Sequence, residues 1–203
     1  MANRTNSYHH LNLREDLVRA GCAFVAEHGH EELSVRMLAK QVGVSAGAPY
    51  HHFADRRALL IAIALEGYRQ LTAIGDEPGV DALTAERRLF LMCRNFLNFA
   101  ASAPRLFTLM YESELTRPVV DPQLAHAQRK GYELIRQAVV EYRGGRQDED
   151  IGVMIATLWS AIYGFALLRS RAMIQPDNEI IDPASEDLAD AIVRNAIRLV
   201  RDL

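Results

Sequence analysis

SVRMLAKQVGVSAGAPYHHF, residues Ser34 to Phe53, reads as two short helical segments on either side of one tight turn. Ser34 stands at an N-cap, where its hydroxyl can accept from an unpaired N–H in the first turn that follows. Val35, Leu38, Ala39 and Val42 then recur at helical spacing and give the first segment one apolar face. Ala39 is small enough for a second helix to cross closely, and Gly43 supplies the positive φ that ends a helix without a Cβ penalty. Val44 plugs the junction, and Ser45 caps a second helix whose leading turn, Ala46-Gly47-Ala48, is almost bare. A backbone this bare can approach a phosphate or a base edge. Tyr50, His51 and His52 follow as hydrogen-bonding groups, and Phe53 returns the chain to the core. A short second helix that makes its contacts from the N-terminal end is the reading element of a helix-turn-helix. A hairpin that merely packs would share the caps, the glycine and the apolar stripe. It gives no reason for three polar rings directly before a buried Phe.

Charge supports this reading locally rather than globally. The chain has 203 residues, a formal net charge of −3 and 49% hydrophobic residues, so it can bury a substantial core and form one or two domains. Residues 1–57 hold seven Arg or Lys against six Asp or Glu. Arg4 and Arg14 nevertheless precede the first acid, and Arg36, Lys40, Arg56 and Arg57 face only Asp55 across the motif and its exit. Phosphate contact needs such a concentrated basic footprint. The N-terminus lacks the apolar core of a signal peptide and no stretch reads as a bilayer span, so a cytoplasmic protein without membrane contact is expected. Cys22 and Cys93 are isolated and read as core thiols, with neither a disulfide framework nor a zinc site implied. His51 and His52 diverge by about 100° on a helix and do not pair as metal ligands. The remaining histidines occur as His9-His10, near a turn as His28 and His30, or alone as His126. No catalytic constellation, cofactor motif or metal site is read, so an enzyme is not expected.

Beyond Leu71 helical patterns alternate with punctuation. A fourth helix carries Leu59, Leu60, Ile63, Ala64 and Leu71, and Gly75-Asp76-Glu77-Pro78-Gly79 breaks it. A fifth runs from about Asp81 to Ala103, and Pro104 opens a short sixth by the proline preference for the first helical position. Asp121-Pro122 starts a seventh that Gly144-Gly145 ends. An eighth covers about Asp148 to Met173, and Asp182-Pro183 begins the last. The expected architecture is all-α with about nine helices. It divides into an arm and head over 1–57, a linking helix and loop over 58–80, and a body over 81–203. The last helix shows two adjacent apolar stripes: Leu188, Ile192, Asn195 and Leu199 beside Ala189, Val193, Ala196, Val200 and Leu203. Two stripes imply two neighbours, one the parent body and the other the same helix of a second subunit.

The run from Leu13 to Leu71 resembles the DNA-binding domain of the TetR family of bacterial transcription regulators. The matching pieces are Ala20 and Phe24, the Gly29 turn, Ser34-Val35-Arg36, Leu38-Ala39, Val42-Gly43-Val44-Ser45, Gly47, Tyr50-His51-His52-Phe53 and Asp55-Arg56-Arg57-Ala58-Leu59-Leu60. Arg56 stands where the family most often has Lys, and Pro49 where an aliphatic residue is more usual. Trp159-Ser160-Ala161-Ile162-Tyr163-Gly164 and Ala103–Met110 are similar to the Trp-His-Gly type of C-terminal domain, with Tyr163 in place of the His.

The resemblance implies a dimeric, ligand-responsive repressor that binds a palindromic double-stranded DNA operator and is released by a small effector. The expected DNA contacts are Ser34, Arg36, Ser45, Ala46, Gly47, Tyr50, His51, His52 and Arg56. In that set Arg36, Ala46 and His51 read bases, Tyr50 and His52 touch phosphates, and Arg56 meets a phosphate at the start of the fourth helix. By the same analogy an apolar effector pocket would draw on Met92, Phe96, Phe99, Phe107, Met110, Tyr111, Met154, Trp159 and Tyr163, with His126 as a polar group. The dimer interface would use Leu188, Ile192, Val193, Ala196, Leu199 and Val200. Two other readings stand beside this one: an activator of the same fold, and an effector-binding protein of this fold that does not bind DNA.

Overall fold

A computed structural model describes residues 12–114, 121–146, 150–174 and 182–202. Arg4, His9, His10, Asp148 and Leu203 lie outside them. Among the described residues there are eight α-helices, three short 3-10 turns and no strand. The helices are α1 (Leu13–His28), α2 (Val35–Val42), α3 (Arg56–Thr72), α4 (Ala85–Ser102), α5 (Pro104–Tyr111), α6 (Pro122–Tyr142), α7 (Asp150–Ser170) and α8 (Glu186–Asp202).

Side-chain caps set most of the starts. Ser34, in an extended conformation, accepts from Met37 N at 3.2 Å. Asp55 accepts from Ala58 N at 2.8 Å, and Thr84 from Arg87 N at 3.2 Å. Asp121 Oδ1 accepts from the N–H groups of both Gln123 and Leu124 ahead of the proline that opens α6. Each bond satisfies a donor that the helix cannot pair internally. The last helix starts later than the Asp182-Pro183 pair implies. Asp182 closes a turn by accepting from Ala184 N, and Ser185 Oγ accepts from Asp187 and Leu188 to cap α8.

The chain forms two compact units: residues up to Tyr68 together with Arg105–Ala125, and Arg69–Pro104 together with His126–Leu203. In the first unit Leu17 and Val25 of α1, Leu38 and Ala39 of α2, and Leu59, Leu60 and Ile63 of α3 are buried. The helices close on Gly21, where an added Cβ would lie 2.5 Å from Ile63 Cδ1 and 3.4 Å from Leu38 Cδ1. Helix α5 belongs to this unit. Tyr68 Oη donates to Met110 O at 3.0 Å, and a Cβ at Gly67 would sit 2.4 Å from Met110 Sδ.

The second unit packs α7 against α8 and both against α4. Leu89, Phe96 and Leu97 of α4, Met154, Leu158 and Ile162 of α7, and Ala189, Val193, Ala196 and Val200 of α8 are buried in it. Arg94, with a side chain 11% exposed, ties α4 to α8 by pairing with Asp190 at 2.6 Å and with Glu186. One expectation needs correction here. Residues 56–76 and α7 are each long and apolar enough, by length and composition, to cross a bilayer. In α7 the cause is plain, because no charged residue lies between Asp150 and Arg169. Its inner face is buried in the unit, while Val153, Trp159 and Leu168 on its other faces are exposed.

Substitutions at Gly21 and Ser34 test these constraints. Gly21→Val should lower unfolding stability by roughly 1–3 kcal/mol through overpacking, and adding Ile63→Ala should recover part of the loss in urea melts. Ser34→Ala should cost about 1 kcal/mol and Ser34→Asp much less; equal losses would deny the cap its role.

Candidate nucleic-acid interface

Helix α2 ends in a hydrogen-bonded reversal. Gly43 takes φ 80° and ψ 29°, its N–H donates to Lys40 O at 3.2 Å, and Val44 N donates to Ala39 O at 2.9 Å. This pair of bonds is a Schellman closure, which occupies the last carbonyls of the helix and fixes the direction in which the chain leaves.

The segment that follows is shorter than the sequence implies. In place of a recognition α-helix there is one 3-10 turn, Ala48–His51. Pro49 supplies the physical reason. An α-helix through this point would need the N–H of residue 49 to donate to Ser45 O, and proline has none. Ser45 O is instead satisfied by Ala48 N at 3.1 Å, three residues on, and Tyr50 N donates to Gly47 O at 3.2 Å. The i→i+3 pattern is the tighter helix. Pro49 is itself buried, so the same ring that shortens the helix anchors it. This turn is the ninth helix of the sequence reading.

On this frame Arg36, Lys40, Ser45, Ala46, Gly47, Tyr50, His51 and His52 are exposed and Ser34 is half-buried. Phe53 beneath them is 3% exposed, with the Arg14 guanidinium 5.5 Å from its ring centre. A Cβ on Gly47 would meet nothing within 4 Å, so the bare face is open space. Met37, 45% exposed beside Arg36, is the one large apolar residue of this face that sequence reasoning passed over. Its i+3 spacing from Ser34 reads as ordinary helix interior and gives no signal.

Arg56 is placed differently from the others. Its Nε donates to Leu33 O at 2.7 Å and its Nη2 donates to Glu31 O at 3.0 Å and to His30 O. The guanidinium is turned toward the α1–α2 connection.

The effector candidates fall in two places. Phe107, Met110 and Tyr111 belong to α5 and pack within the first unit, with Phe107 and Tyr111 rings 4.8 Å apart. Met92, Phe96 and Trp159 line a cavity of about 20 Å³ in the second unit, together with Cys93, Ile135, Leu158 and Ile162. That is room for about one water. Tyr163 stacks on Trp159 at 5.9 Å, and Phe96 meets Trp159 edge-on at 4.7 Å. Met154 is buried, Phe99 half-buried and His126 exposed. Burial pushes the Cys93 thiol up to about 12; burial and the neighbouring Glu66 carboxylate push Cys22 up to about 11. Neither thiol is set up as a nucleophile. Among the described residues no three His, Cys, Asp or Glu side chains are grouped to hold a metal. On α8, Val193, Ala196 and Val200 face into the unit, while Leu188 and Ile192 are half-buried and Leu199 is 56% exposed.

Known proteins place this geometry. The repressor AcnR of Corynebacterium glutamicum is 35% identical over 69 residues, which is 34% of this chain and 37% of that protein. The chain thus matches little more than a third of that relative's length. Over its whole length it superposes on a protein of unknown function from Rhodococcus sp. RHA1 with a TM-score of 0.77 at 27% identity, covering 98% of each chain. The fold is also that of BioQ, solved with its double-stranded DNA operator, at a TM-score of 0.64, 19% identity and coverage of 94% of this chain and 98% of that one. Residues 17–63 match the family of bacterial regulatory proteins called tetR, and residues 89–196 match the tetracyclin repressor-like C-terminal domain. The chain belongs to the TetR family of bacterial transcription regulators.

Proposed function

We propose that this protein is a homodimeric repressor that binds a palindromic operator and is released by a small apolar effector. The observation that carries the DNA-binding part is the row of exposed polar groups, Arg36, Lys40, Ser45, Tyr50, His51 and His52, held over buried Pro49 and Phe53. AcnR, similar over about a third of this chain, is a repressor, which favours repression over activation. Arg36 and His51 are the base-reading side chains, and Ala46 offers a methyl to a thymine methyl. Ser34, Ser45, Tyr50 and His52 meet the backbone, and Gly47 lets it come close.

The dimer reading rests on α7 and α8. Gly152, Ala156, Ser160 and Gly164 repeat every fourth residue of α7, and a Cβ on Gly152 or Gly164 would meet nothing within 4 Å. Small residues with no neighbour of their own admit a helix from outside. Leu188, Ile192 and Leu199 of α8 would complete that face, with a two-fold axis bringing the same patch of each subunit together. The buried stripe of Val193, Ala196 and Val200 supports it from within.

The effector site would form around Met92, Phe96, Trp159 and Tyr163. No charged side chain lines the cavity, so an uncharged, apolar ligand is the one these walls accept. At about 20 Å³ the cavity must open to admit one. Preferential binding of the ligand to the open form would then shift the population away from the DNA-binding spacing of the two heads.

Genomic fragments retained by the purified protein identify the operator, and failure to retain any would refute the DNA-binding reading. On that operator Arg36→Ala should lose about 1–3 kcal/mol of discrimination at one base pair of each half-site. A uniform loss across all sequences would reassign Arg36 to the backbone. Ala156→Arg should yield a monomer by light scattering with helicity intact and weaken the full palindrome far more than a half-site. A variant that remains dimeric excludes the α7 face.

A further inference from the structure

Two guanidinium groups from different parts of the chain converge on one short connection of the head. The last turn of α1 and the loop to α2 present the carbonyls of Ala26, Glu27, His30, Glu31 and Leu33. Arg56, in the first turn of α3, donates to His30 O, Glu31 O and Leu33 O. Arg105, in the first turn of α5, donates through Nη1 to Ala26 O at 3.2 Å and to Glu27 O. The connection's own backbone contributes Gly29 N to Val25 O at 2.9 Å and Leu33 N to His30 O at 3.3 Å. Carbonyls at a helix C-terminus carry the negative end of its dipole, and a cation that also donates hydrogen bonds is the strongest partner they can have.

The placement matters because of what comes next in the chain. Leu33, whose carbonyl Arg56 Nε holds at 2.7 Å, directly precedes Ser34, the cap of α2. Arg36, the exposed cation at the start of α2, is three residues further on. An orientation error in the connection is therefore delivered straight to the leading turn of α2. Lysine offers three donors on one nitrogen and lacks the planar fork by which Nε and Nη2 reach Leu33 O on one side and Glu31 O and His30 O on the other.

We infer that Arg56 and Arg105 are positioning residues for DNA binding, which clamp the α1–α2 connection from two sides and so aim Ser34 and Arg36. Arg56 acts through the loop and not as a phosphate ligand, and α5 is chemically a part of the reading head. The inference rests on the DNA-binding reading above.

The test uses the full-length protein, the operator recovered from genomic selection and a non-specific duplex, with affinities measured between about 50 and 200 mM salt. Arg56→Gln and Arg105→Gln should each weaken operator binding, by about tenfold for the former and a few-fold for the latter. The slope of log affinity against log salt should stay at the wild-type value. Arg56→Lys should fail to restore affinity, and amide exchange over residues 28–34 should quicken in all three variants while α4, α7 and α8 keep theirs. A phosphate contact behaves oppositely: glutamine lowers the slope by about one and lysine rescues. Either of those results overturns the assignment of Arg56. If Arg56→Gln does not fold, Arg105→Gln decides alone, since its guanidinium is on the surface; unchanged operator affinity would remove α5 from the head. If the wild-type protein retains no DNA, the regulator reading fails by itself. Exchange over 28–34 then still reads the clasp, upheld by quickening and overturned by no change.

Discussion

The head depends on a crossing of three helices that leaves no room for a side chain at position 21. Ile63 Cδ1 of α3 lies 2.5 Å from the point a Cβ of Gly21 would occupy, and Leu38 Cδ1 of α2 touches that point at 3.4 Å. Both are fully buried. In a close-packed interior a displacement of even one methylene is transmitted, because the neighbours have nowhere to yield. The separation of α1 from α2 and α3 therefore sets where the α2 closure begins. That closure, through Gly43 and Val44, sets where the 3-10 turn can start. The exposed ends of Arg36 and Tyr50 inherit their positions from a contact on the far side of α2.

The 3-10 turn also narrows the means of recognition. A full α-helix lying in a groove presents several turns of side chains to successive base pairs. Here a single turn is present, opened by Ala46 and Gly47, with its proline committed to the core. On the proposed DNA-binding reading, backbone approach and shape would then carry more of the discrimination, with a few side chains at the margins. The residues best placed for that work lie on either side of the bare patch: Arg36 on α2, and Tyr50 and His51 at the end of the turn.

How much of this could be read from the sequence varies with the range of the interaction. Ser34, Gly43 and the Asp121-Pro122 pair act on residues within a few positions, and so the starts of α2 and α6 and the end of α2 are legible from type and spacing. The all-helical class follows from the same local periodicities. Pro49 was visible too, but its effect needed the hydrogen-bond partner it removes, Ser45 O, to be followed to its replacement. Arg56 and Arg105 are of another kind. Their acceptors lie 23 to 26 and 78 to 79 residues away, and nothing in the local pattern of either arginine points to a carbonyl. Helix α5, which the sequence reading puts in the body over 81–203, falls in the first unit for a related reason. Its buried Leu106, Phe107, Leu109 and Met110 would fill either core, and Tyr68 and Gly67 are what place it with the head.

Within the second unit, two surfaces of similar apolarity are treated differently, and charge marks the division. Helices α4 and α8 are fastened by Arg94 to Asp190 and Glu186, and Arg87 and Arg194 lie 5.2 and 5.5 Å from the Phe90 ring centre. That face is finished: its apolar groups are covered by the stems of arginines whose heads remain paired or wet. The outer face of α7 has no such cover. Between Asp150 and Arg169 it carries no charge, and the side chains it offers to the outside are small or largely apolar, with Thr157 and Tyr163 as its part-exposed hydroxyls. That uncharged surface, with Gly152 and Gly164 open to the outside and Val153 and Leu168 exposed beside them, is the one the proposed two-fold pairing would cover.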